Sequence, residues 1–466
     1  MEYISTRGKV PALGFSDVLL KGLAEDGGLY LPSVWPKFDA SDIRAMRGLS
    51  YADLATQVMM PFVKDDIDEA TFSNIVRDTY ASFGHDAVAP LKQIDHNAWL
   101  LELFHGPTIA FKDYALQLLG RLFDHVLAER DERITIVGAT SGDTGSAAIE
   151  ACRDRDRVDI FIMHPHNRTS EVQRRQMTTV LSSNVHNIAI EGTFDDCQDL
   201  VKSMFNDLDY RRDLNISAVN SINWARIMAQ IVYYFHAGIS LGAPDREITF
   251  AVPTGNFGNV FAGYAAKQMG LPIDQLIIGS NSNDILTRFF ESGSMSMEDV
   301  VPTVSPSMDI QVSSNFERYL FELFGRDPDE LSTVMNAFRQ TGEMSVSPDR
   351  WSLARELFDA RRLDDDGTKA AIAALYKATG ELIDPHTAVG FVAGSAARRR
   401  PDIPLVCLAC AHPAKFPDVV EAATGVHPSL PPHLSDLFDR EERMTVLGAG
   451  LQVVQQYVRT NTRVKP

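Results

Sequence analysis

The chain has 466 residues, of which 45% are hydrophobic and 23% are charged, a composition typical of globular proteins. Two or three domains are expected at this length. The net charge of -18 and the pI of about 5.1 exclude the extended basic surface that a nucleic acid or an anionic membrane would need as a partner. Four cysteines are too few for a disulfide scaffold, and we find neither a secretory signal nor an apolar span of membrane length, so we expect a cytoplasmic protein.

In chain order, residues 1–95 contain one strand-like piece, "GGLYLP" (27–32), and helical patterns punctuated by prolines. We expect them to form a separate N-terminal domain. Short apolar runs then alternate with helical patterns through residues 96–285, and residues 286–380 form a mainly helical insertion. Residues 381–466 return to the core and end in helices. The alternation predicts an α/β fold, in which helices flank parallel sheets and ligands bind at the carboxyl ends of strands.

The first helix of the core follows "HGPTIAFKD" (105–113). Apolar residues recur from Ala115 with the spacing of a helix that has one buried face. Asp113 is predicted to cap this helix, which places Lys112 at its N-terminal end. Because the helix dipole disfavours a cation at that end, the position favours a neutral amine or an imine. The alternative is a lysine that reaches from the helix end into solvent.

The predicted strand "RITIVGA" (133–139) leads into a first polar loop, "TSGDTG" (140–145), and then into a helix. Ser141, Gly142, Asp143 and Thr144 could hold a carboxylate there, through hydroxyls and backbone amides. Asp143 by itself is also an ordinary helix cap.

The strand at 247–255 leads into a second loop, "PTGNFGN" (253–259). Gly255 and Gly258 allow a ligand to approach the backbone, and Asn256 and Asn259 add donors at a helix N-terminus, which predicts a phosphate site. The alternative is a tight turn that binds nothing. We expect the two loops to lie at neighbouring strand ends. A lysine beside a phosphate site is what pyridoxal phosphate requires, since its aldehyde forms a Schiff base with a deprotonated lysine.

Several segments in this chain resemble, in family order, the successive signatures of threonine synthases. The amino-terminal "STRG" and "EDGGLYLP" resemble the N-terminal domain of that family. The segments within the rest of the chain are "HGPTIAFKD" (105–113), "TSGDTG" (140–145), "NSINWARI" (220–227), "PTGNFGN" (253–259), "SPSMDIQVSSNFER" (305–318) and "AHPAKF" (411–416).

The resemblance implies a fold type II pyridoxal-phosphate enzyme with two lobes. Lys112 would be the Schiff-base lysine, and Phe111 would lie near the cofactor. The cofactor phosphate would be wrapped by Gly255, Asn256, Phe257, Gly258 and Asn259. Cys410 stands where the family usually has a threonine that faces the ring nitrogen, and a neutral thiol can still contact a neutral pyridine nitrogen. Cys407 and Cys410 form a C-x-x-C without a second pair, which does not favour zinc.

The implied reaction converts O-phospho-L-homoserine and water to L-threonine and phosphate, with Lys112 moving protons. We expect the loop at Ser141–Thr144 to bind the substrate carboxylate, and Asn223 and Arg226 to bind its phosphate. Weaker candidates for the phosphate are Arg168 and Lys415. His105, His164 and His412 could assist proton transfer or could serve only in structural hydrogen bonds.

Two other functions stay open at this stage. The same fold could serve a phospho-lyase that releases phosphate and 2-oxobutyrate. A non-catalytic protein that binds a phosphorylated metabolite is the other alternative, although Lys112 and the second loop are both intact. For the assembly we expect a monomer or a homodimer.

Overall fold

The computed structural model describes residues 1–140 and 142–464, and every structural statement below concerns these residues. Their strands, in chain order, are β1 (Tyr3–Ser5), β2 (Tyr30–Pro32), β3 (Leu91–Asp95), β4 (Ala98–Glu102), β5 (Ile134–Ala139), β6 (Val158–Pro165), β7 (Val185–Glu191), β8 (Ile216–Ser217), β9 (Ile248–Pro253), β10 (Ile273–Ser280), β11 (Ser294–Ser296), β12 (Glu343–Ser345), β13 (Phe358–Arg362), β14 (Leu405–Ala409) and β15 (Thr445–Gly448).

The helices are α1 (Phe15–Lys21), α2 (Ala40–Ala45), α3 (Tyr51–Val63), α4 (Glu69–Tyr80), α5 (Lys112–Arg130), α6 (Asp143–Cys152), α7 (Glu171–Thr178), α8 (Phe194–Asn206), α9 (Leu208–Asp213), α10 (Trp224–Ser240), α11 (Gly258–Gln268), α12 (Ile285–Ser292), α13 (Phe316–Leu323), α14 (Pro328–Thr341), α15 (Pro348–Leu357), α16 (Asp365–Thr379), α17 (Pro385–Ala397), α18 (Pro417–Thr424) and α19 (Leu451–Asn461). Within the described chain, no helix is long and apolar enough to cross a membrane.

The chain divides into two compact units. Unit 1 comprises Met1–Val18, Leu23–His105 and Ser221–Ser429, and unit 2 comprises Leu19–Gly22, Gly106–Asn220 and Leu430–Pro466. The predicted domain boundaries near residues 95, 285 and 380 follow a different division of the chain, and they stay a prediction.

Unit 1 is built on a six-stranded sheet of order β13-β10-β9-β14-β4-β3, parallel except for β3. Helices pack on both faces of this sheet. The contacts of β9 show this, because alternate residues of a strand point to opposite faces. Ala251 lies in an apolar cluster with Ala388 and Ala393 of α17. The neighbouring Phe250 instead packs edge-on against Tyr234 of α10, with ring centroids 4.8 Å apart.

Unit 2 is built on a five-stranded sheet of order β15-β7-β6-β5-β8, parallel throughout. An apolar cluster on one face joins Phe161 of β6 to Leu200 of α8 and Val454 of α19. Helices α5 and α6 pack closely through Gly120, where a Cβ atom would lie 2.2 Å from the carbonyl oxygen of Ala151. Glycine is therefore required at that contact.

The predicted fold class is confirmed, since parallel strands alternate with helices in both units. The strands predicted at 133–139 and 247–255 are β5 and β9, each shortened by one to three residues at its ends. The expectation that the two polar loops lie at neighbouring strand ends is wrong, because β5 and β9 belong to different sheets. Periodicity shows that a segment is a strand but not which strand it pairs with.

Candidate active site

Lys112 is the first residue of α5, in unit 2. The preceding residue, Phe111, has helical backbone angles and provides no side-chain cap. The Lys112 side chain is 12% exposed, and its Nζ lies 3.9 Å from Oδ2 of Asp143. The structure thus places the lysine at a largely buried helix start, as the sequence predicted, and adds a carboxylate that the sequence argument did not pair with it.

The prediction that Asp113 caps this helix is wrong. Helix α5 begins at Lys112, so the fully buried Asp113 is its second residue and lies inside its first turn. Its carboxylate accepts hydrogen bonds from the backbone N–H of Thr108 (2.8 Å) and from the Thr108 hydroxyl (2.7 Å). Between them Ile109 has a φ of 55°, in the left-handed region that β-branched residues rarely adopt. Asp113 therefore closes a strained turn immediately before the lysine.

The first polar loop leads from β5 into α6, also in unit 2. Ser141, one of its predicted anion-binding residues, lies outside the described residues. Gly142 precedes the helix without a side-chain cap, so the alternative that Asp143 caps α6 is wrong. The Thr140 hydroxyl instead accepts the N–H groups of Gly142 and Gly145, both at 3.0 Å. Of the residues predicted to bind an anion in this loop, Thr144 is the one in the described chain whose side chain could donate, and it is partly buried.

Asp143 brings negative charge to this helix start. It is 7% exposed, and its Oδ1 accepts a hydrogen bond from Nε2 of Gln173 at 2.9 Å. The position of Gln173 also favours a glycine at residue 142, since a Cβ atom there would lie 2.4 Å from the Gln173 amide carbon. The Asp143 carboxylate cannot donate to an anion, so only its backbone N–H could serve the predicted carboxylate site. Sequence reasoning missed Thr140 and Gln173, because nothing in their local pattern distinguishes them.

The second polar loop leads from β9 into α11, in unit 1. Phe257 lies immediately before the helix with φ 60° and ψ 1°, a left-handed conformation in a bulky residue, and it provides no side-chain cap. Its ring turns away into an aromatic cluster with Phe316 and Tyr319, at centroid distances of 5.1 and 6.0 Å. The Phe257 side chain is therefore not directed to the helix start, where the first-turn N–H groups of α11 are not capped by a side chain.

The segment at 305–315 fixes the shape of this loop. The Ser313 hydroxyl donates to the Gly255 carbonyl at 2.8 Å, and Asn315 donates to the Asn256 carbonyl from its backbone and its side chain, both at 3.0 Å. A Cβ atom at Gly255 would lie 2.6 Å from the Ser307 carbonyl oxygen, which explains the glycine. Sequence reasoning noted this segment as a signature but not its role in supporting the loop.

Asn259 is the second residue of α11 and is 7% exposed. Its Oδ1 accepts a hydrogen bond from the Tyr233 hydroxyl at 2.5 Å, while its Nδ2 is a buried donor without a partner in the part of the chain that the structure describes. An unpaired buried donor at an uncapped helix start is what an anion-binding site requires before the anion is bound.

Cys410 follows β14 at the carboxyl end of that strand and is 6% exposed. Its backbone N–H donates to the Thr387 hydroxyl at 3.2 Å, and that hydroxyl in turn donates to Asp384. Cys407 is buried in the strand, and burial raises the pKa of its thiol well above the ordinary value. No cluster of three or more potential ligand side chains in residues 1–140 and 142–464 could hold a metal ion.

The two main candidates for the substrate phosphate lie at the start of α10, in unit 1. Asn223 is the N-cap, and its side-chain oxygen accepts the Ala225 N–H at 3.0 Å. Arg226 is 3% exposed, and its Nε and Nη1 have no hydrogen-bond partner among the described residues. Burial lowers the pKa of its guanidinium to about 10. Arg226 is therefore a buried cation with unmet donors, whereas the Asn223 oxygen is already used.

The remaining candidates have mixed environments. Arg168 is exposed, and Lys415 is fully buried in a short turn that ends at Lys415. His105 contacts Glu102 at 2.7 Å, and Nδ1 of His412 accepts the Ala414 N–H at 3.2 Å. Neither contact decides between the two roles predicted for these histidines. His164 is buried at the end of β6, and burial lowers the pKa of its imidazole.

These residues fit pyridoxal phosphate. Unit 2 carries a largely buried amine at Lys112. In unit 1, the uncapped start of α11 with the buried Asn259 donor suits a phosphate. The profile of the family described as pyridoxal-phosphate dependent enzyme matches residues 86–410 of this chain. The family match and the fold define a pyridoxal-phosphate-dependent enzyme of fold type II, which confirms the predicted cofactor.

The two ends of the chain narrow this class. Residues 2–80 match the profile of the threonine synthase N terminus, and residues 387–458 match that of the threonine synthase C-terminal region. The chain is 59% identical over 459 residues to threonine synthase from Pseudomonas aeruginosa, with 98% of each chain covered. The chain belongs to the threonine synthase family.

Solved structures agree with this result. The crystal structure of pyridoxal-phosphate-bound threonine synthase from Brucella melitensis superposes with a TM-score of 0.98 at 56% identity, covering 99% of this chain and 100% of the other. Yeast threonine synthase superposes with a TM-score of 0.94 at 37% identity, covering 99% and 98%.

Proposed function

We propose that this chain is a threonine synthase that converts O-phospho-L-homoserine and water to L-threonine and inorganic phosphate. The observation that carries the proposal is the match to threonine synthases over the whole chain, at 59% identity to the Pseudomonas aeruginosa protein. The geometry supports it, because a largely buried lysine and an uncapped, donor-rich helix start are both present. A cytoplasmic location and a monomeric or homodimeric state are further proposals.

Lys112 is the residue that we propose to bond covalently to the aldehyde of the cofactor, and residues 255–259 are those that we propose to bind its phosphate. When bound, pyridoxal phosphate supplies an electron sink that makes the Cα–H bond of an amino-acid substrate acidic. The Nζ of Lys112 would take the proton from Cα and deliver protons later in the reaction. The Asp143 carboxylate, 3.9 Å away, would stabilise the ammonium that results.

The substrate carries a carboxylate and a phosphate. We propose that the phosphate binds Arg226, whose buried guanidinium has unmet donors and can engage phosphate oxygens in a bidentate manner. Asn223 would act mainly by starting the helix that carries Arg226. For the carboxylate we propose Ser141, Thr144 and the backbone N–H groups of Gly142 and Asp143. The Asp143 carboxylate repels an anion, so only the hydroxyls and the backbone N–H groups would hold the substrate carboxylate.

The test is to incubate the purified holoenzyme with O-phospho-L-homoserine and to measure phosphate, threonine and 2-oxobutyrate. The proposal predicts threonine and phosphate in equal amounts. Phosphate with 2-oxobutyrate in place of threonine would identify a phospho-lyase. A colourless protein that releases no phosphate, and that borohydride does not label at Lys112, would indicate a non-catalytic binder of a phosphorylated metabolite.

A further inference from the structure

Two adjacent tyrosines of α10 lie against Asn259 of α11. The Tyr233 hydroxyl is 2.5 Å from Oδ1 of Asn259. The Tyr234 hydroxyl is 2.9 Å from the Asn259 carbonyl oxygen and 3.1 Å from Oδ1. Both tyrosines are fully buried, and Asn259 is 7% exposed. The side-chain oxygen of Asn259 thus lies within hydrogen-bond distance of two hydroxyl groups of the chain itself.

Each hydroxyl has one proton to donate, so the shortest contact decides its partner. Tyr233 has a second acceptor nearby, Oε1 of Gln230, but at 3.3 Å this oxygen is much farther than that of Asn259. Tyr234 lies closer to the backbone carbonyl of Asn259 than to the side chain. Tyr233 is therefore the residue that fixes the side-chain amide, and Tyr234 mainly contacts the backbone.

The orientation of the amide has a chemical consequence. An amide presents an acceptor on one side and a donor on the other, so fixing Oδ1 against Tyr233 leaves Nδ2 on the opposite side. In the described chain Nδ2 is buried and has no partner. Its place at the uncapped start of α11 suits a donor to an anion. The reverse orientation would present an oxygen, which repels an anion.

We propose that Tyr233 is a positioning residue for the cofactor: its hydroxyl holds the Asn259 amide with Nδ2 directed as a donor to the cofactor phosphate. The inference rests on the proposed function, in which residues 255–259 bind that phosphate. It adds a residue on a different helix, which would act only through Asn259. Charge is not involved, so an uncharged side chain without a hydroxyl is the informative substitution.

The experiment titrates the apoenzyme with pyridoxal phosphate and measures the dissociation constant by equilibrium dialysis, independently of turnover. Loss of one hydrogen bond predicts that Tyr233→Phe raises the dissociation constant about tenfold. Loss of the donor itself predicts a rise of about 30-fold for Asn259→Ala. Because Tyr233 acts through Asn259, the double variant should bind no more weakly than Asn259→Ala alone.

Tyr234→Phe is the matched control, since it removes the same group from the same helix. It should raise the dissociation constant less than threefold, while lowering the melting temperature about as much as Tyr233→Phe. The inference would be overturned by an equal effect of the two tyrosine variants. It would also be overturned if Tyr233→Phe weakened binding further by the same tenfold in the Asn259→Ala background.

A second variant keeps the inference testable if Tyr233→Phe does not fold. Asn259→Asp preserves the oxygen that accepts from Tyr233 and replaces Nδ2 by a negatively charged oxygen, so binding should weaken at least about 100-fold. Undiminished binding would show that the amide does not donate to the phosphate. Failure of the proposed function is separately visible, because the unaltered protein would then bind no pyridoxal phosphate or form no threonine.

Discussion

Helices α6 and α11 both follow a parallel strand through a loop rich in glycine and small polar residues, and neither begins with a side-chain cap. They differ in charge. The start of α11 carries Asn259 with an unpaired donor and no acidic residue in its first turn. The start of α6 carries Asp143, which is held by Gln173 and lies near Lys112.

The difference separates two uses of the same backbone motif. An uncapped helix start with unmet donors attracts an anion from outside the chain. A helix start that carries its own carboxylate has already satisfied part of that potential, and it offers the carboxylate to a cation instead. We therefore interpret α11 as the proposed phosphate site and α6 chiefly as the element that places Asp143 beside Lys112.

The largest effect is expected at Lys112. Lys112→Ala should reduce turnover by about 10⁴-fold, because both the covalent bond to the cofactor and the proton transfer are lost. Lys112→Arg is the matched control, since it retains a cation near Asp143 but cannot act as a neutral amine. Both variants should lose threonine formation in a coupled assay, and only the alanine variant should lose stability. Turnover by the arginine variant would contradict the role of the amine.

Changing one charge at the N-terminal end of each helix tests whether α11 binds the cofactor phosphate and α6 does not. Asn256→Asp should weaken binding of pyridoxal phosphate about 100-fold, because it places a negative charge beside the phosphate site. Asp143→Asn should leave cofactor affinity within about threefold but lower kcat about 10-fold or more, since the ammonium of Lys112 loses its partner. Equilibrium dialysis and steady-state kinetics measure the two effects. Equal changes in cofactor affinity in the two variants would contradict the different roles that we propose for the N-terminal ends of α6 and α11.

Asp113 offers a test of the strained turn before the lysine. Asp113→Ala should lower the free energy of unfolding by about 2–3 kcal/mol, because two buried donors of Thr108 lose their acceptor and Ile109 loses its restraint. Urea unfolding measures this difference. Asp113→Asn, which keeps one acceptor oxygen, should be intermediate; if it matched the alanine variant, the hydrogen bonds would not be the cause.

Glu442 gives a pH-dependent effect in unit 2. The Arg174 guanidinium, bonded at 2.9 and 3.0 Å, holds the pKa of Glu442 below its ordinary value of 4.5. Because the pKa is lower in the folded state, the stabilisation is fully present above 4.5 and is lost as the pH falls through the lowered value. Glu442→Gln should cost about 1 kcal/mol at neutral pH and progressively less in acid. Substitution of the exposed neighbour Glu441 is the control, and a pH-independent difference would contradict the ion pair.

The smallest effect is expected at Cys410, at the carboxyl end of β14. Cys410→Thr should change kcat less than about threefold and leave the cofactor spectrum nearly unchanged, because the two side chains are similar in size at this buried position. Cys410→Asp should alter the absorption spectrum, which a spectrophotometer records directly. An unchanged spectrum in the aspartate variant would place Cys410 away from the ring nitrogen.

The sequence predicted the strands and the lysine at a helix start, because these follow from periodicity and from residue types that act locally. Phosphate binding at residues 255–259 stays a prediction. It did not predict that β5 and β9 belong to separate sheets, because strand pairing depends on contacts between distant segments. The same limit explains Asp143, whose partner Gln173 lies 30 residues further along the chain. Asp113 and Thr108 are close in sequence, but their contact depends on the left-handed turn at Ile109, which residue type did not indicate. Local patterns identify the residues that carry chemistry more readily than those that hold them in position.

The most direct test of the central claim is to reduce the holoenzyme with borohydride and to locate the pyridoxyl group by peptide mass mapping. We expect a single modified lysine, Lys112, together with loss of the near-visible absorbance. Modification of the buried Lys415 instead, or no modification of any lysine in a protein that still forms threonine, would contradict it.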